Sequence, residues 1–137
     1  MADLVITAAS VVPGAGSRRT SGIAGASIAA GKPVYQDPAD LKYKLADANS
    51  GTAAARAVSG ISLNAAENGQ PLAVHLEGPL TIGAAVSQGV GYFLSSTAGG
   101  ICPAADLASG AWPTLLGFAI SASVIDVKIH PAGVALP

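Results

Sequence analysis

Residues 26–36 read ASIAAGKPVYQ, and residues 84–94 read AAVSQGVGYFL. Each sets an aliphatic residue three places before a glycine and a β-forming pair three and four places after it. Ile28, Gly31, Val34 and Tyr35 thereby fall on Val86, Gly89, Tyr92 and Phe93, 58 positions further on. The correspondence continues in order down the chain. Ala46-Asp47 falls on Ala105-Asp106, and GISL (60–63) falls on GFAI (117–120). Leu72, Val74 and Leu76 fall on Ile125, Val127 and Ile129, 53 positions on, which requires a small deletion between strands. The order predicts a duplicated β unit, residues 25–80 and 81–137. Neither half would bury its apolar face alone, so the two are expected to pack into one barrel or sandwich.

Between the matched stretches, short β-patterned runs alternate with turn residues. DPAD (37–40) is a turn with Pro at its second position. LKYKLA (41–46) puts Leu41, Tyr43 and Leu45 on one face and Lys42 and Lys44 on the other. ARAVSGISL (55–63) breaks at Gly60, as at a bulge, and ENGQP (67–71) supplies an Asn-Gly hairpin turn. LAVHLEG (72–78) turns Leu72, Val74 and Leu76 inward and His75 and Glu77 outward. PLTIGAAV (79–86), GYFLSS (91–96), WPTLLGFAI (112–120) and VIDVKIH (124–130) complete the set. No segment sustains a 3.6-residue period, although SGTAAARA (50–57) and PAADLA (103–108) each suit one helical turn. The fold class is all-β.

Residues 1–24 precede the repeat and form a predicted extended arm. ADLVITAASVV (2–12) is a candidate strand, but PGAGSRRTSGIAGA (13–26) has little to bury and a large backbone entropy to lose. Such a segment is expected to become fixed only against a partner. The start lacks a basic region before its apolar run and carries Asp3 there, so it is read as a mature start rather than a secretory signal.

At 137 residues the chain suits one domain, able to bury roughly two-thirds of its unfolded surface. Half of it is apolar, yet only 11% is charged, against an average near 25%. A surface so poor in charge fits a protein covered by other protein, as in an obligate oligomer or a shell component. The net charge of −1 gives no footprint for nucleic acid, and no apolar run is long enough to span a membrane. Cys102 is the only cysteine, which excludes an intrachain disulfide and a CxxC metal site.

Chemical motifs fail on inspection. GASIAAGKP (25–33) spaces its glycines one residue too far apart for a phosphate loop and has Pro33 where the metal-binding hydroxyl belongs. GAGSRR (14–19) is not followed by a helix, and no G-x-S-x-G elbow exists. His75 and His130 lie in separate strands with no third ligand advertised. Asp37, Asp40, Asp47 and Asp106 sit at turns, where Asp serves the backbone. No catalytic residue, cofactor or metal is therefore expected. Trp112, the only tryptophan, suits either core packing or an interface anchor, and Arg18 and Arg19 either face solvent or pair with carboxylates of a partner.

The runs AGASIAAGKPVYQD (24–37), KYKLADA (42–48), ARAVSGISLNAAENGQPLAVHLEG (55–78) and GVGYFLSSTAGGICPAADLASGAWPTLLGFAISASVIDVKIHPAG (89–133) resemble capsid decoration, or cement, proteins of tailed bacteriophages. The resemblance covers roughly residues 22–134 and rests on glycine turns and strand patterns. It implies a compact, β-tulip-like barrel or sandwich that assembles as a homotrimer on the outer surface of the virion, after synthesis in the bacterial cytoplasm. There it would clamp neighbouring copies of the major capsid protein and stabilise the expanded shell. Under this reading the contact residues toward capsid or sister subunits are Leu4, Val5, Ile6, Arg18, Arg19 and Trp112. The alternatives are a head-fibre base or tail-associated module binding host glycans or other virion proteins, and, in a third class, an enzyme whose site forms between subunits.

Overall fold

The structure, a computed structural model, describes residues 3–137. Met1 and Ala2, the first residues of the expected arm, lie outside the described residues. The strands are β1 (Val11–Pro13), β2 (Arg18–Ile23), β3 (Pro33–Gln36), β4 (Tyr43–Leu45), β5 (Gly60–Ser62), β6 (Pro71–Ile82), β7 (Gly91–Leu94), β8 (Ile101–Pro103), β9 (Thr114–Ala119) and β10 (Val124–Pro131). All pair antiparallel in one curled sheet ordered β4-β3-β5-β6-β10-β9-β7-β8, with β1 and β2 also on β6. The two expected helical turns are short 3₁₀ segments, Ala53–Arg56 and Ala104–Asp106.

The strand order is a palindrome in which β3–β6 exchange with β7–β10, and the registers agree residue by residue. Pro33 and Val34 face Ile61 and Gly60, while Gly91 and Tyr92 face Phe118 and Gly117. Gly31 and Gly89 both adopt φ 85°, a left-handed turn conformation open to glycine at little cost. From that turn the Gly31 N–H donates to the Ser62 carbonyl at 2.8 Å and the Gly89 N–H to the Ala119 carbonyl at 2.7 Å. Glycine recurs in strand for a different reason. A Cβ on Gly60 would strike the His75 carbonyl, and one on Gly117 the Asp126 carbonyl.

The duplication starts earlier than residue 25. Arg19–Ile23 of β2 face His75–Pro71, and the same five pairs recur as Glu77–Thr81 facing Lys128–Val124. The second half of β6 thus does for the second unit what β2 does for the first. The offset of 53 between β6 and β10 holds on this flank. On the other flank, Ser62 faces Val74 and Ala119 faces Ile125, a slip of two residues that keeps every side chain on its face.

The N-terminal arm is accordingly corrected: residues 11–23 are part of the sheet. Val74 stands between Thr20 and Ser62, and Leu80 between Pro13 and Ile125. Without β1 and β2, one flank of a 12-residue strand would leave its main-chain groups unpaired. Pro79, which has no N–H to give, stands beside the turn that separates β1 from β2 and accepts from the Gly14 N–H at 2.8 Å. LAVHLEG and PLTIGAAV are therefore one strand, not two. The expected strand at 2–12 shrinks to β1, preceded by a 3₁₀ turn at Ala8–Ser10.

Of three apolar clusters, two are equivalent between the units, and the third (Ala46, Ala48, Leu94 and Ala111) lies where the sheet's ends meet. Ala24, Ile28, Val34, Tyr43, Leu72 and Val74 form one of the equivalent pair; their counterparts Ile82, Val86, Tyr92, Ile101, Ile125 and Val127 belong to the other. The second cluster also takes in Val11, Ile61, Leu80 and Leu116. Each fully buried Leu or Ile contributes about 1.5–3 kcal/mol. The sheet's two ends meet where the Ala48 N–H donates to the Ser95 carbonyl at 3.1 Å and the Gly99 N–H to the Ala46 carbonyl at 2.7 Å.

Candidate interaction surface

The six residues expected to make contacts are dispersed. Leu4 and Ile6 are half-buried against the second unit's core, whereas Val5 is 88% exposed. The Leu4 N–H donates to the Ile101 carbonyl and the Thr7 N–H to the Gly83 carbonyl, both at 2.8 Å. In the first unit the equivalent groups meet directly, the Gly25 N–H donating to the Tyr43 carbonyl at 2.7 Å. Residues 3–8 thus fill a slot that exists in one unit and is closed in the other. A Cβ on Gly31 would meet the Ile6 side chain at 2.8 Å, so glycine at this turn also admits the segment.

Arg18 donates to Glu77 at 3.1 Å across the strand pair, with both side chains largely exposed. Such a pair is worth about 0–1 kcal/mol. Arg19 is exposed opposite His75. Trp112 is half-buried, with the Arg56 guanidinium 3.9 Å from its ring centroid and its own backbone N–H bonded to the Ala48 carbonyl. Cation–π stacking of this kind is worth about 0.5–1 kcal/mol at an exposed site.

A group of exposed apolar residues lies elsewhere. Phe118 is 54% exposed, Ile120 51% and Val90 38%. Phe118 and Ile120 project from the outer face at β9, and Val90 precedes the residue facing Phe118. A groove of about 440 Å³ beside them is lined by Leu115, Ile129, His130, Asp126 and Lys128. Sequence alternation missed these residues because LLGFAI is apolar on both faces. The signal it did contain is the match of Phe118 to Ile61.

The titratable groups are placed for structure. His75 is fully buried rather than outward, because the face it shares with its cross-strand partner Ile61 is itself covered by the second unit's cluster. Its Nε2–H donates to the Gly78 carbonyl at 2.8 Å, while Nδ1 has no hydrogen-bond partner. Burial, opposed by that bond, and the Arg19 charge hold its pKa below the usual 6.5. Burial pushes the Cys102 thiol up to about 11, which keeps it protonated at neutral pH. Lys44 bridges Asp37 at 2.7 Å and Asp40 at 3.3 Å and lowers both carboxyl pKa values; for Asp40 the larger cause is the Lys42 backbone N–H.

Among the described residues, no group of three or more His, Cys, Asp or Glu side chains is placed to hold a metal ion. No helix among them is long and apolar enough to cross a membrane. The arrangement offers backbone turns, an exposed apolar sheet face and a strand slot filled by the chain itself. No protein-family model, curated protein or solved structure matches the chain.

Proposed function

We propose that the chain is a structural virion protein, a capsid decoration protein that binds the outer surface of a phage head as a homotrimer and stabilises the expanded shell. The observation that carries this reading is the exposed apolar face around Phe118 and Ile120 on a chain with only 11% charged residues. A monomer in water gains nothing from such a face, whereas an assembly buries it. The resemblance of residues 22–134 to decoration proteins supplies the partner class. The mechanism is linkage. A ligand that binds only the expanded shell lowers the free energy of that state by mass action. Contacts of standard size, about 1,600 Å² each, repeated over many copies, resist the pressure of packaged DNA.

The test is co-sedimentation of purified protein with undecorated expanded shells, followed by calorimetry. Saturable binding and a raised shell melting temperature are expected. Protein that stays in the supernatant and leaves the melting temperature unchanged would sink the reading.

A further inference from the structure

The two units are alike in register, yet one face is treated differently in each. Ile61 of the first unit faces Pro33 on one side and His75 on the other. Phe118, its counterpart, faces Gly91 and Asp126 in the same way. Ile61 is fully buried and packs within the cluster that holds Leu80, Leu116 and Ile125 of the second unit, and His75 beside it is also fully buried. Phe118 is 54% exposed, and Asp126 beside it is exposed too. The chain therefore covers this face of its first unit with its own second unit and leaves the equivalent face of the second unit open.

We infer that a second copy of the chain covers the open face, with Phe118 and Ile120 as its apolar centre. A molecule with one such face satisfied internally and one left over can repeat the covering contact from copy to copy, head to tail. A heterologous contact of that kind closes into a ring when its rotation is a whole fraction of a turn and otherwise runs into a filament; with three two-unit chains, closure would give a ring of six similar units. The rim charge fits a like partner. Asp126 and Lys128 flank the groove, and neither makes an ion pair among the described residues. One carboxylate and one ammonium leave the face near neutral, so a copy of itself is not repelled, as it would be from a single-sign surface. The inference deepens the trimer reading above and rests on it for the number of copies only.

The experiment is sedimentation velocity of the purified full chain, without shells, for wild type and for Phe118→Asp combined with Ile120→Asp. The wild type is expected to sediment as an oligomer and the variant as a monomer with an unchanged far-ultraviolet circular dichroism spectrum. A wild type that is monomeric, or a folded variant whose mass does not fall, overturns the inference. Should the double variant fail to fold, Ile120→Cys replaces it. Its alkylation by a maleimide is expected to be about tenfold slower than that of an exposed Ala98→Cys control, and equal rates overturn the inference. A monomer that still decorates shells refutes this face and leaves the cement reading standing. An oligomer broken by the double substitution that ignores shells supports the face and refutes cement.

Discussion

His75 shows how a single residue couples the sheet to pH. Its pKa is lowered in the fold, so the unfolded chain binds the proton more readily. The stability it contributes is complete above about pH 6.5 and is lost as the pH falls below that value through the folded pKa. Thermal melts at pH 7 and pH 5 are expected to differ for the wild type, and the difference is expected to shrink in His75→Gln. Gly60 and Gly117 make a second prediction at this scale. Alanine at either pushes a methyl into a neighbouring carbonyl, and Gly117→Ala is expected to cost roughly 1–3 kcal/mol in urea unfolding. Ile125→Ala, at a fully buried position, is expected to cost about 2–5 kcal/mol. The sequence pattern places Ile125 in the core by alternation alone. It misplaces His75, because the face opposite Val74 is covered by the second unit rather than by solvent, and alternation within one strand does not show what packs on its other face.

Among the elements, the segment before β3 matters most. Deletion of residues 2–10 removes the two main-chain hydrogen bonds that tie the segment to Ile101 and Gly83, the Ser95–Asp3 side-chain bond and the partial burial of Leu4 and Ile6. It leaves the second unit with the ends the first already has. The shortened protein is expected to fold with a lower melting temperature by circular dichroism. Deletion of residues 2–24 also removes β1 and β2 and strips one flank of β6; that protein is expected not to fold, and a cooperative melt from it would refute the pairing. The repeat itself was legible because glycine at a left-handed turn is chemically distinctive and the strands after it alternate. The start of the first unit was not. RRTSGI joins the sheet through its backbone while most of its side chains face water, so composition marked it as an arm when pairing makes it a strand.

For the whole molecule, the all-β pattern correctly indicated a compact sheet protein, but neither it nor the low charge located a contact surface. The open face around Phe118 becomes visible only when the two units are overlaid and one is found covered where the other is bare. The two similar clusters are unequal in size, because the second unit also receives the N-terminal segment and Ile61. Stability is therefore expected to be unevenly spread. Hydrogen exchange should show the amides of β9 and β10 outlasting those of β3 and β4, and the reverse order would mean that the added contacts contribute little.

The stacking of Arg56 on Trp112 gives the protein a built-in optical probe. This indole is the chain's only one, and its backbone N–H is tied to Ala48, the residue that also bonds Ser95 where the ends of the sheet meet. Its emission therefore reports on that seam alone, undiluted by any other tryptophan. A fluorescence change that precedes loss of the circular dichroism signal would time the opening of the seam separately from the melting of the strands. In a mixture with shells, the same signal would reveal whether docking tightens or parts the two ends, without attaching a dye.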